Sequence, residues 1–275
     1  MSKVNVNAIE PSTGTDITLG ASGDTITVPS GATIVNSGTS TGFGATLSGS
    51  TNNTVVTVTG ANAMIGEAKL LFDPAKLTIG NASEEDTSIV FDGHAQDYYI
   101  GLDDTDDDLK IGLGSAVGTT THMVFNETGE ITKPLQPSFM MKGFISDITT
   151  GTAWTRITTW NTPTYDIGSN CTTTLFTAPV TGKYYFCVQI LATGHAEDAD
   201  LEYRFVTSNQ TYIIYALKAV RNSDGSGTTY SSQNNSLITD MDANDTVYID
   251  QICNPASSTL QDSVDQTFFC GGLIS

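Results

Sequence analysis

The first 65 residues repeat a short theme: "DITLGASG", "DTITVPSG", "ATIVNSG", "GATLSGS" and "TVVTVTG". Each unit alternates β-branched with small or polar residues and closes on Gly or Ser-Gly, the pattern of a short strand followed by a turn. Large side chains are scarce, and Phe43 is the one aromatic residue before Phe72. Ordering the backbone costs about 1–2 kcal/mol per residue, and one copy of this segment has too little apolar surface to offset it. Two states are open to it: disorder, or a core shared with copies of itself in the manner of stacked repeats. We expect the shared core.

From about Leu70 the strands strengthen, through "KLLFDPAKLTIGN", "TSIVFDG", "DYYIGLD", "DLKIGLG" and "THMVFNETGEI". Between "DYYIGL" and "DLKIGL" lie Asp103, Asp104, Asp106, Asp107 and Asp108. A hairpin turn belongs at that place, and Asp suits turns because its carboxylate bonds nearby backbone amides. A calcium loop of the EF-hand type starting at Asp104 requires Gly at its sixth position and Glu at its twelfth. Leu109 and Ser115 stand there instead. Two exposed carboxylates about 5 Å apart repel by only about 0.8 kcal/mol in water, so a solvated acidic tip needs no cation. The expectation is a wet turn without metal.

The second half is richer in large side chains: "PSFMMKGFI", "AWTRITTW", "TTLFTAPVTGKYYFCVQIL", "LEYRFVT", "TYIIYALKAV", "TVYIDQI" and "QTFFCGGLI". Some eight strands within about 140 residues suit a jelly roll or a similar sandwich. Burying a Phe or Leu contributes about 1.5–3 kcal/mol, so this half can fold around its own core. The proline-punctuated "ITKPLQP", residues 131–137, marks the boundary. The cysteines, Cys171, Cys187, Cys253 and Cys270, show no metal-ligand spacing. They read as buried thiols, with a Cys187–Cys270 bridge as the alternative.

A formal net charge of −19, from 11 Lys and Arg against 30 Asp and Glu, argues against binding nucleic acid or anionic lipid. No apolar run follows the first lysine and none is long enough to span a bilayer, so a soluble product made in the cytosol is expected, without membrane insertion. His94, His122 and His195 lack a metal-ligand or nucleophile partner at recognisable spacing. "GTSTG" has the letters of a nucleophile elbow without the strand and helix that such a turn needs. No enzymatic activity, cofactor or metal is expected.

The motifs "LFTAPVTGKYYFCVQI" (175–190), "MDANDTVYI" (241–249) and "TFFCGGLI" (267–274) resemble, in order, the marks of the trimeric jelly roll of tumour necrosis factor and the complement globular head. Asn244 stands where that family usually has Gly. The opening "VNVNAIEPSTGTDITLGASGDTITVPSGATI" is similar to the N-termini of tail-fibre-type proteins of bacteriophages. "IGNASEEDTSIVFDGHAQDYYIGLDDTDDDLKIGLGSAVGTT" resembles a segment of structural proteins of marine and cyanobacterial phages.

Together these resemblances imply an all-β homotrimer located in a phage virion and assembled in the host cytoplasm. Residues 1–65 would attach to other tail or baseplate proteins, 66–136 would form an intertwined β-stalk, and 137–275 a jelly-roll head. Mapping the head onto the family's strand order puts its termini at the base and three loops at the apex. Those loops carry His195, Glu197, Asp198 and Asp200, then Arg221, Asn222 and Asp224, then Asn254, Gln261, Asp262 and Asp265. They are the expected contacts to a host surface glycan or outer-membrane component. The alternative is a decoration or tail-assembly protein whose head only caps and registers the trimer.

Overall fold

In the computed structural model the described residues are 46–48, 54–60, 63–73, 75–194, 199–214, 230–254 and 258–275, with Thr13, Thr25 and Thr27. All regular structure among them is β. The chain divides into two units, Met1–Asn81 and Ala82–Ser275. In the first, β1 (Thr46–Ser48) pairs in parallel with β3 (Ala63–Asp73), which also pairs antiparallel with β2 (Thr54–Gly60) and β4 (Lys76–Ile79). Most of the glycine-closed repeats lie outside the described residues.

The second unit begins with an antiparallel meander: β5 (Thr87–Phe91), β6 (Tyr98–Asp103), β7 (Asp108–Leu113), β8 (Thr120–Phe125) and β9 (Ile131–Thr132). Register decides which side chains share a face, because directly opposed residues point the same way. Ile89, Ile100, Ile111 and Met123 form one row across the sheet. Phe91, Tyr98 and Leu113 form a second, and Leu102, Leu109, Phe125 and Ile131 a third. This face is mostly apolar, with Thr87 and Thr120 at the ends of the outer rows. Seven of its side chains (Ile89, Phe91, Tyr98, Ile100, Leu102, Leu109 and Ile131) are 38–59 % exposed in the single chain.

The opposite face is roofed by the chain's own residues 114–119. Tyr99 is fully buried there, and its hydroxyl accepts from the Gly118 amide at 3.0 Å. Gly101 and Gly112 leave the room this roof needs. A Cβ on Gly101 would lie 2.5 Å from Val117 Cγ2, and one on Gly112 2.5 Å from the Tyr99 oxygen.

The turn between β6 and β7 is the acidic stretch. Asp103 and Asp108 close the hairpin as register partners, and Asp107 takes a left-handed backbone with φ of 57°. The cluster is more than a solvated tip, because Lys110 is buried beneath it and bonds Asp103 at 2.7 Å and also Asp106. The bond from Lys110 is the chief cause holding the Asp103 carboxyl below its ordinary range, and the same partners raise the Lys110 ammonium.

The remaining strands are β10 (Ser138–Lys142), β11 (Ile148–Thr149), β12 (Thr155–Arg156), β13 (Tyr165–Ile167), β14 (Phe176–Thr177) and β15 (Gly182–Thr193). After them come β16 (Asp200–Thr207), β17 (Thr211–Ile214), β18 (Tyr230–Met241), β19 (Thr246–Asn254), β20 (Thr259–Leu260) and β21 (Phe268–Leu273). One sheet runs β18-β15-β21-β10-β13, with β20 and β11 continuing it beside the end of β15. The other runs β17-β16-β19, with β14 and β12 both against β19. Each sheet thus interleaves early and late strands, the double Greek key of a jelly roll.

Between the sheets lies an aromatic core. Phe139 stacks on Phe176 with centroids 4.8 Å apart and meets Phe269 edge-on at 5.0 Å, while Phe144 and Trp160 pack at 4.7 Å. These rings, with Tyr184, Phe186 and Phe205, are nearly solvent-free. The Cβ that Gly271 lacks would lie 2.4 Å from Phe186 Cδ1, which accounts for glycine in the closing strand. Asn244 has φ of 75°, a left-handed conformation that Asn tolerates and Gly adopts freely.

All four cysteines are free thiols. Cys187 and Cys270 are register partners on β15 and β21 without a disulfide between them. Burial, with Cys187 beside it, raises Cys270 to about 11, and burial with Asp166 raises Cys171 to about 12.

Candidate functional site

Both ends of the jelly-roll segment lie at one end of the sandwich, where the Leu273 amide donates to the Pro137 carbonyl at 2.9 Å. From there β15 runs to Thr193 at the opposite end, where Thr193 pairs with Thr259. Asp200 and Asn254 are also there, as register partners on β16 and β19. Asp200 is half-buried and Asn254 exposed.

Gln261 and Asp262 are placed along the flank by a different anchor. Gln261 Nε2 donates to Asp147 Oδ2 at 3.2 Å and the Asp262 amide to Asp147 Oδ1 at 2.9 Å. Asp265 is exposed on the turn that follows. His195, Glu197, Asp198, Arg221, Asn222 and Asp224 lie outside the described residues. Among the described residues no three His, Cys, Asp or Glu side chains come together as a metal site.

Asp147 also borders a cleft of about 490 Å³ between residues 146–159 and β19. The lining mixes polar residues, including Thr149, Thr155, Arg156, Thr159 and Gln251, with a comparable share of apolar surface, Ile148 among it. Gln251 is only 2 % exposed because it occupies an inward position on β19, among Val247, Ile249 and Cys253. Among the described residues its Oε1 has no hydrogen-bond partner, and neither has the buried Thr159 Oγ1. Leaving a buried acceptor unmade costs about 1–3 kcal/mol, so both atoms call for a donor that the described residues do not supply.

Beside the cleft, the outward face of the same sheet carries two cation–ring contacts. The Arg156 guanidinium lies 3.3 Å above the Tyr248 ring, and that of Arg204 4.3 Å from the Trp154 ring. Asp250 opposes both arginines in register and binds Arg204 Nη2 at 2.6 Å. The sequence expectations did not include Asp147, Arg156 or Gln251. The available signal was "DQ" at 250–251, two polar residues on opposite faces of an otherwise apolar strand.

Strand order and core define a jelly-roll β-sandwich joined to an amphipathic antiparallel sheet. No family model matches the chain, and no curated protein matches it. Solved structures similar to it include Eiger TNF from S. frugiperda, at 10 % identity, TM-score 0.37, over 51 % of this chain and 94 % of that one. The globular domain of zebrafish complement 1qA protein is similar at 16 % identity, TM-score 0.35, over 51 % and 98 %. Murine APRIL is similar at 14 % identity, TM-score 0.37, over 50 % and 99 %. The assignment of the sandwich here rests on its own strand pairing.

Proposed function

We propose that this chain is a homotrimeric fibre-type protein of a phage virion. Its N-terminal part attaches to tail or baseplate proteins and its sandwich recognises a host surface glycan or outer-membrane component. The observation that supports this best is the open apolar face of β5–β9. Seven of its eleven apolar side chains are 38–59 % exposed in the single chain, and a contiguous exposed apolar face of this kind marks an interaction surface. Sister chains are the natural cover, and the resemblance to a trimeric jelly-roll family supports three of them. Three heads on one axis turn weak single contacts into avid attachment, and no catalytic step belongs to this reading.

A second reading, a structural cap that registers the trimer, is favoured by the Asp147 contacts. They commit Gln261 and Asp262 to holding the loop. Gold-labelled antibody against residues 137–275 on intact virions separates the two. Label at the free distal tip supports recognition; label buried against other virion proteins, or none accessible, overturns it in favour of the cap.

A further inference from the structure

We propose that the cleft between residues 146–159 and β19 is a saccharide subsite that takes one pyranose ring. This deepens the recognition reading above and places a contact on the flank of the sandwich.

The chemistry of the lining selects the ligand. Gln251 Oε1 and Thr159 Oγ1 are buried and unpartnered among the described residues, and each can accept a hydrogen bond. Thr149 and Thr158 add hydroxyls that both donate and accept. A ring bearing neighbouring hydroxyls matches such a set, because each sugar hydroxyl also donates and accepts. The Arg156 side chain takes no part in this set, because it lies on the outward face of the sheet with Asp250 and Tyr248.

Asp147 holds the opposite rim in place through Gln261 and Asp262. The volume, about 490 Å³, falls within the ~300–1,000 Å³ of small-molecule sites. One ring with bridging water fills it. A lipid chain would leave the buried acceptors unmade.

The test uses the full chain and three probes: methyl α-D-galactopyranoside, D-glucuronate and, as an acyclic polyol, glycerol. Ligand-observed saturation-transfer NMR should detect both pyranoses and not glycerol. Gln251→Met removes the acceptor at similar volume and should weaken both sugars at least about tenfold, without lowering the unfolding midpoint. No transfer from either pyranose, equal transfer from glycerol, or equal binding by Gln251→Met would overturn the subsite and leave the cleft to water.

Adsorption of the wild type and Gln251→Met to bacterial cells keeps the two readings apart. Sugar binding lost with adsorption unchanged leaves the subsite standing and counts against its part in host recognition. Adsorption by a wild type that binds no sugar leaves recognition standing and removes the subsite.

Discussion

The meander of residues 87–132 and the sandwich of residues 138–273 use similar alternating strands but treat their apolar faces differently. In the sandwich, Phe139, Phe186 and Phe269 point from one sheet toward Phe176 and Phe205 of the other, and all five are sealed. In the meander, the row of Ile89, Ile100, Ile111 and Met123 has no second layer among the described residues of its own unit. The difference teaches that alternation fixes the strand but not what covers it. A sheet with one apolar face needs a second layer. The sandwich supplies its own, and the meander must take one from elsewhere.

The contrast breaks first if the sandwich core is not self-sufficient. Phe269→Ala opens a cavity among four other aromatic rings and should cost about 3–5 kcal/mol, read by denaturant unfolding followed at the tryptophans. A loss below about 1 kcal/mol would mean that the sandwich draws its stability from outside contacts.

The complementary change is Ile100→Asp in the middle of the open face. Burial of such a side chain is worth about 1.5–3 kcal/mol per chain, so the assembly should dissociate in sedimentation velocity. Sandwich unfolding should shift by no more than about 0.5 kcal/mol, as for a surface change. An intact assembly would place the contact on another surface.

A smaller effect is expected where the meander is self-sufficient, at its roofed face. Asp103 has its carboxyl held below the ordinary 3.8 by Lys110. Its contribution is therefore complete above 3.8 and is lost as pH falls through the lower folded value. Amide exchange across residues 98–113 should quicken in that acid window. In Asp103→Asn it should be faster already at neutral pH and show less of the acid step. An unchanged step would assign it to another carboxylate.

The smallest change is expected at Asn244, where φ is 75°. Asn244→Gly should alter stability by no more than about 0.5 kcal/mol, whereas Asn244→Ala should cost about 1–2 kcal/mol. Equal effects in thermal unfolding would show that the side chain matters more than the backbone.

Much of the fold was legible because local pattern carries it. The alternation of "YYIGLD" and "DLKIGL" fixed two strands and put the acidic run in a turn, and the aromatic strands after Pro137 announced a sandwich. The left-handed backbone at Asn244 was legible only through the family resemblance, which places Gly there. Lys110 was missed because its place in the fold depends on its ion pairs to Asp103 and Asp106 across the turn, which alternation along β7 does not reveal. The cleft was missed for the same reason at longer range. Asp147, Thr159 and Gln251 are brought together by the pairing of β11 with β20 and of β12 with β19. Of the expected loop contacts, Asp200 and Asn254 share one end of the sandwich, whereas Gln261 and Asp262 bond Asp147 on its flank.

Whether sister chains cover the face centred on Ile100 is tested most directly by the mass of the full chain in solution. Three times the 29.1 kDa of one chain, with amide exchange across residues 87–132 slow in that species, is the predicted result. A 29.1 kDa particle whose meander is equally protected from exchange would contradict it.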